Sequence, residues 1–270
     1  MGNITFGQYY PGESVIHRLD PRIKIISVIF FIVIIFFIRS FSGYAMTAAF
    51  ILFVVLISGV PLKSVLRSIK GILILVIFTA IINILFYKEG RVLVDLRIIK
   101  ITYEGLIFAS QMALRLILLV MGTSLLTLTT TPMSLTDGIE SLMAPLKAVK
   151  FPVHDVAIIM SITLRMIPAL MDETNKIILA QKARGADFET GGLIKRAKAL
   201  IPILIPLFVG AFRRADELAY ALDARCYNAT SKRTKMKVMR LKLSDLFGFV
   251  TVLIFCTAIL IDVYYFKGLF

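Results

Sequence analysis

Charge is what this sequence has least of. Only 18% of its 270 residues are Asp, Glu, Lys or Arg, whereas 58% are hydrophobic and the mean hydropathy is +0.86. A soluble globular domain is about 45–50% apolar, so this chain has too little polar surface to be wrapped in water. That excludes a large soluble helical core and implies a membrane protein. Cysteine is nearly absent: Cys226 and Cys256 make neither a disulfide framework nor a metal box. Histidine is confined to His17 and His154, far apart and without an acidic cluster nearby. There is no G-x-x-x-x-G-K-[ST] loop to hold ATP, and no G-x-S-x-G, H-E-x-x-H or C-x-x-C motif. Asp172–Glu173 and Asp216–Glu217 are adjacent carboxylates, but neighbours on a helix point different ways. They are expected to pair three or four residues away, with Lys176, Arg213 or Arg214, rather than to do acid–base chemistry. No catalytic residue, metal or cofactor is therefore expected in the chain itself, and an intramembrane enzyme is the weakest functional class.

What the chain has in abundance is long apolar runs. A bilayer crossing takes about 20 apolar residues. Five runs approach that length: Ile23 to Ile38, Tyr44 to Val60, Ile69 to Tyr87, Leu106 to Leu128 and Leu246 to Tyr265. Arg115 interrupts the fourth, and a charge inside a membrane faces other helices rather than lipid. The first 22 residues are polar and the first run lacks a small-residue cleavage site, so no cleavable signal is expected. The net charge of +14 is uneven: 18 of the 31 Lys/Arg lie between Thr131 and Leu243, with 10 of the 17 Asp/Glu. Basic short loops stay in the cytoplasm. Arg18, Arg22 and Lys24 before the first span, and Lys63, Arg67 and Lys70 between the second and third, match that stretch if the N-terminus is cytoplasmic. The connection from Lys88 to Lys100 runs against the rule, although Glu89, Asp95 and Glu104 dilute it. Its R-V-L-V-D-L-R alternates like one arm of a short external hairpin. Juxtamembrane basic residues near anionic lipid account for the charge, so no nucleic-acid partner is expected.

Between Thr131 and Leu243 the pattern turns from solid apolar to mixed. Pro132 closes the fourth span, and Ser134 or Thr136 is a candidate N-cap for a short helix through Leu146. A glycine-free stretch from His154 to Arg184 then predicts a long helix of about 45 Å, bent or interrupted at Pro168. Gly185 is placed to take the positive φ at its end. A second long helix runs from about Lys195 to Arg225. Both are apolar first and charged later, which suits interfacial or tilted helices; the alternative is one further span at Leu200 to Phe212. Each closes on the same box, A-Q-K-A-R-G at Ala180–Gly185 and A-L-D-A-R-C at Ala221–Cys226. An arginine in a last turn complements the helix dipole. The dipole does not explain alanine at −1 and −4 both times, which leaves the guanidinium unobstructed, as for a knob entering a partner's groove. The fold expected is all-α: a polytopic membrane protein of about five transmembrane helices with a cytoplasmic arm of long helices. Residues 1–130 hold four spans, 131–243 the two boxes, and 244–270 the last span. A self-contained secondary transporter stays open as an alternative, although few ionisable residues besides Arg115 lie in the spans.

Three stretches resemble one family, the transmembrane T component of the bacterial energy-coupling factor (ECF) transporters, a class of ABC importer. Tyr10 to Lys24, Y-P-G-E-S-V-I-H-R-L-D-P-R-I-K, is similar to its N-terminal signature. Thr163-Leu-Arg-Met-Ile-Pro through Ala183-Arg-Gly-Ala-Asp-Phe188 is similar to its first coupling helix, and Phe212-Arg-Arg-Ala-Asp-Glu-Leu-Ala through Ala224-Arg-Cys-Tyr227 to its second. The resemblance implies a multi-pass scaffold in the bacterial cell membrane that couples ATP hydrolysis to vitamin or micronutrient uptake. Its implied partners are two cytoplasmic ABC ATPases (EcfA and EcfA′), which bind ATP and Mg, and a membrane-embedded S component, which binds the substrate. By that match Ala183, Arg184 and Gly185, and Ala224, Arg225 and Cys226, form the ATPase-docking sites. Cys226 departs from the usual glycine, which leaves open how the second helix ends. Methionine is an adaptable packing residue. Of Met133, Met143, Met160, Met166 and Met171, the last three are the candidate S-component contact.

Overall fold

The computed structural model describes residues 9–87, 91–96, 99–188, 192–227 and 241–265. Lys88, Glu89 and Arg97 of the expected hairpin connection, and residues 228–240 of the basic stretch, lie outside them. The described chain is helical apart from one two-stranded hairpin. It forms two compact units, Met1–His154 with Met239–Phe270, and Asp155–Val238.

The first unit begins with a single turn, α1 (Val15–Arg18), then α2 (Pro21–Phe37) and α3 (Phe41–Ser58). Local chemistry fixes these boundaries. Asp20 caps α2 by accepting from the Arg22 amide, with Pro21 in the first turn, where its missing N–H costs nothing. Ser40 caps α3, which stops at Gly59 with φ 69°. The expected third span is broken: α4 (Leu62–Lys70) and α5 (Leu73–Phe86) are separate helices bent by 56°. Lys63, Arg67 and Lys70 fall on one face of α4 and are exposed, which suits a helix lying along a membrane surface. α5 is apolar throughout. The hairpin follows as β1 (Val92–Leu96) and β2 (Ile99–Thr102), antiparallel, with an irregular register between Val92 and Val94. It leads into α6 (Tyr103–Thr129), capped by Thr102. α7 (Pro132–Leu142) is capped by Thr131, not by Ser134 or Thr136 as expected. Pro132 sits in the first helical turn, and the Thr131 Oγ1 accepts from the Ser134 amide. α10 (Leu243–Tyr265) closes the unit, and α8 (Val153–Ala183) and α9 (Leu193–Ala224) make up most of the second.

Among the described residues α3, α6, α8 and α10 are each long and apolar enough to cross a bilayer, and α4 with α5 would make a fifth crossing if counted as one. Helix α2, at 17 residues, is about 25 Å long. The multi-pass, all-α expectation holds, with α8 joining the candidates. α9 does not, because its apolar centre at 200–212 is flanked by Lys195, Arg196 and Lys198 and by Arg213 and Arg214.

α2 is the central helix of the first unit, packing against α6, α7 and α10. Phe31, Ile34, Ile35 and Ile38 bury one face of it in a core shared with Ile51, Val55, Leu118, Leu125 and Ile259. The Phe50 and Phe255 rings stack at 4.1 Å. Gly122 of α6 makes the closest approach: a Cβ there would collide with the edge of the Phe31 ring.

Four of the charged groups in this interior find partners at helix ends. The Lys24 Nζ donates to the carbonyls of His17 (3.3 Å) and Thr129 (3.0 Å) and to the Thr130 Oγ1 (3.1 Å). Asp245 accepts from the amides of Asp20 (2.8 Å) and Lys242 (2.7 Å), tying the start of α2 to the start of α10. Arg115 faces protein, as an intramembrane charge should: its Nη2 donates to the Ile38 carbonyl (2.8 Å) and the Tyr44 hydroxyl (3.1 Å). Asp262 accepts from the hydroxyls of Ser40 and Ser42 at the start of α3.

The Gly122–Phe31 contact generates a test. Gly122→Ala should destabilise the protein by about 1–3 kcal/mol through overpacking, despite alanine's better helix propensity. Phe31→Leu in the same chain should recover part of the loss. The midpoint of thermal unfolding in detergent, followed by circular dichroism, reads both.

Candidate functional site

The two arginine boxes lie in the second unit, and each closes its helix with the same hydrogen bonds. At the end of α8 the Gly185 amide donates to the Lys182 carbonyl and the Ala186 amide to the Gln181 carbonyl, both at 3.0 Å, with Gly185 at φ 85°. At the end of α9 the Cys226 amide donates to Asp223 and the Tyr227 amide to Leu222, both at 2.9 Å, with Cys226 at φ 51°. Both are Schellman ends. In each, the arginine is the residue immediately before the left-handed one.

This answers how the second helix ends with Cys226 in the glycine's place. The cysteine adopts the glycine's conformation, at a cost on the order of 1 kcal/mol. The bonds to Asp223 and Leu222 hold it there. Ala183, Arg184, Gly185, Ala224, Arg225 and Cys226 are all exposed, as are Ala180 and Ala221 one turn back. Each guanidinium therefore stands on a helix end stripped of bulk.

Among the described residues, two contacts set the register of α8 against α9. Glu173 pairs with Arg214, and this cross-helix pair replaces the expected partner three or four residues away. Gly210 lets the helices approach here, since a Cβ would sit 2.8 Å from the Glu173 Oε1. Closer to the first box, the Gln181 Nε2 donates to the Pro202 carbonyl at 3.5 Å. Pro206, four residues on, has no N–H to give that carbonyl, so the glutamine supplies the missing donor. These contacts register the helices antiparallel. Arg184 lies near the level of Pro202, and about 35 Å of helix separates that level from Arg225. The boxes are thus held at opposite ends of one helical pair.

Met160 is exposed on α8, while Met166 and Met171 are half-buried. A larger apolar face, absent from the sequence-based candidates, runs along α9. Leu200, Leu204, Phe208 and Phe212 recur every fourth residue and are all exposed. Their spacing was visible in the sequence, but the run reads equally well as part of a span. Among the described residues no group of three or more His, Cys, Asp or Glu could hold a metal. His17 is taken up by the Ser14 hydroxyl (2.7 Å) and the Tyr10 carbonyl (3.0 Å).

The sequence model of the CbiQ cobalt transport protein family matches residues 12–236. A protein of Thermosediminibacter oceani named energy-coupling factor transporter transmembrane protein EcfT is 51% identical over 250 residues, 93% of this chain and 94% of the relative. Proteins of the same name from Ruminiclostridium cellulolyticum and Bacillus subtilis are 49% and 44% identical, over 98% and 88% of this chain and 98% and 89% of their own. The chain belongs to this family of ECF transporter transmembrane proteins. It is a multi-pass membrane component of a transporter, and the match spans both units and both boxes. Within the family frame, the recurrence of one cap geometry at Arg184 and Arg225 is the feature of the second unit that calls for a function.

The caps make a prediction. A Cβ at Gly185 would meet no atom within 4 Å, so a substitution there is opposed only by its backbone conformation. Gly185→Ala should speed amide exchange at Gly185 and Ala186 about fivefold, the equivalent of about 1 kcal/mol. Cys226→Gly should slow exchange at Cys226 and Tyr227 by up to about the same factor. Hydrogen–deuterium exchange resolved at these amides checks both directions in one experiment.

Proposed function

We propose that the chain is the non-catalytic scaffold that couples ATP hydrolysis by two cytoplasmic ABC ATPases, of the EcfA and EcfA′ kind, to vitamin or micronutrient uptake through an S component. The observation that carries this reading is the pair of identical, exposed, arginine-bearing helix ends held at opposite ends of α8 and α9. A dipole-complementing arginine needs no bare surroundings, and two such ends suit two separate grooves. An arginine seated against acidic groups makes charge-assisted, often bidentate bonds. In this reading the ATPases bind ATP and Mg, closure of their dimer moves the arginines, and the helices carry that motion to the membrane. The basic face of α4 and the basic start of α2 support a cytoplasmic N-terminus in the bacterial cell membrane. The β1–β2 hairpin then lies outside.

Removing one docked arginine leaves the partner's charge buried and unpaired, which costs on the order of 2–5 kcal/mol. The second contact offsets part of that loss by avidity. Arg184→Ala or Arg225→Ala alone should weaken the complex and lower uptake. The double variant should release the ATPases or uncouple their hydrolysis. Lysine should rescue neither site fully, because it lacks the planar fork. Co-purification of the ATPases with vitamin uptake in vesicles reads these outcomes, and normal assembly and uptake by the double variant would refute the docking role.

The S component is assigned to the apolar faces of the same helices, with Met160, Met166 and Met171 on α8 and the Leu200-to-Phe212 stripe on α9. Adaptable methionines suit a surface that accepts several partners. Polar replacement of the three methionines should weaken S-component binding and leave ATPase binding intact. Pull-down of each partner separately distinguishes this from misfolding, in which both would be lost together.

A further inference from the structure

An apolar cavity of about 440 Å³ lies within the first unit, between α1, α2, α3, α6 and α10. Its floor is the buried Phe31, Ile51 and Leu125. Its rim is Val15, Phe53, Ile57 and Phe247, all exposed, so it opens sideways between α1 and α3 on one hand and α10 on the other. The lining of α2 runs from Ile23 to Phe31, about 12 Å of helix. One leaflet of a bilayer's hydrocarbon core is about 15 Å deep, half of the whole. The cavity is therefore one leaflet deep and lies at the end of the bundle where α2 and α10 begin.

That end is basic. Arg18 and Arg22 flank the lining residues Leu19 and Ile23, Lys242 precedes the lining residue Ser244, and Lys63 follows Ile57 by six residues, across the turn from α3 to α4. The nearby acids are largely engaged elsewhere. Asp20 caps α2, Asp245 accepts two backbone amides, and only the highly exposed Glu13 reaches Arg18, at 3.1 Å. The Arg22 Nε is buried with no hydrogen-bond partner, and its nearest carboxylate oxygen, on Asp20, is 3.8 Å away. An apolar slot of leaflet depth, open to the side, with basic residues next in sequence to its lining and one buried guanidinium nitrogen lacking a hydrogen bond, matches one amphiphile. We propose that this cavity takes an acyl chain of an anionic phospholipid, whose phosphate is held by Arg18, Arg22 and Lys242. Lys24 takes no part, its ammonium being given to three protein oxygens.

The proposal rests on the chain's place in the membrane and not on its partners, so it can be tested with the full-length chain alone. The protein is reconstituted into nanodiscs of phosphatidylcholine containing a small fraction of phosphatidylglycerol with a photoreactive acyl chain. Crosslinks should concentrate on cavity-lining peptides of α2, α3 and α10. A phosphatidylcholine probe of the same chain should label them less, by roughly fivefold for each basic residue engaged. Thr251→Trp, from an exposed cavity-lining position, should remove these crosslinks and leave those on the lipid-facing side of α5 unchanged. Arg18→Glu with Lys242→Glu, both exposed, should erase the preference between lipids while the fold persists. Equal labelling by both probes, or labelling spread evenly over the lipid-facing helices, would each overturn the proposal.

Discussion

The carbonyls left over at helix ends are the constraint on which the rest of this molecule turns. A bilayer interior offers no water to satisfy them, and a polytopic chain must leave several at every turn between helices. Here they are met by a small set of long donors. Lys24 serves the ends of α6 and α1, while Arg115 and Gln111 of α6 serve the Ile38 and Arg39 carbonyls at the end of α2. Gln181 does the same for a carbonyl that a proline has orphaned in α9. Each such donor also fixes where one helix stands against another. The buried lysine and the arginine of this unit are thus placed where backbone oxygens wait for them, while Asp245 and Asp262 answer amide and hydroxyl donors at other helix starts.

The second unit solves a different problem, that of holding two points apart. Both boxes use a hydrogen-bonded left-handed turn, so the arginine's backbone is set by its own helix before any partner arrives. Preorganisation of this kind lowers the ordering cost of association. That Cys226 adopts the conformation of Gly185 shows how firmly the hydrogen bonds define the turn. The strain is local, and the two ends keep the same pair of closing hydrogen bonds although φ is 85° at one and 51° at the other. Glu173 and Arg214 then keep one helix from sliding along the other, which would alter the spacing of the ends.

Much of this was legible in residue order. Composition announced the membrane, and α3, α6 and α10 begin and end within a few residues of the apolar runs that foretold them. The exposure of Arg184 and Arg225 followed from the alanines around them. Other features were hidden because they depend on partners distant in sequence or on competing local signals. Ser134 and Thr136 looked like caps because they precede an apolar segment. Proline's preference for a first helical turn instead moved the cap back to Thr131. The carboxylate at Glu173 had one suitable cation within its own turn range, Lys176, and only the packing of α9 beside α8 brings Arg214 to it. The run Ile69 to Tyr87 read as one span because apolar count ignores direction. Its first residues belong to a helix whose opposite face is basic.

That broken third span has a consequence for the lipid around it. With α4 held at the surface by Lys63, Arg67 and Lys70, the crossing falls to α5, whose 14 residues make about 21 Å of helix. The hydrocarbon layer is about 30 Å thick. Such hydrophobic mismatch is relieved when the bilayer thins beside the short helix, at fractions of a kcal/mol per Å. A bilayer thinned at that side of the protein would present a lower local barrier to any neighbour that must tilt or turn within it.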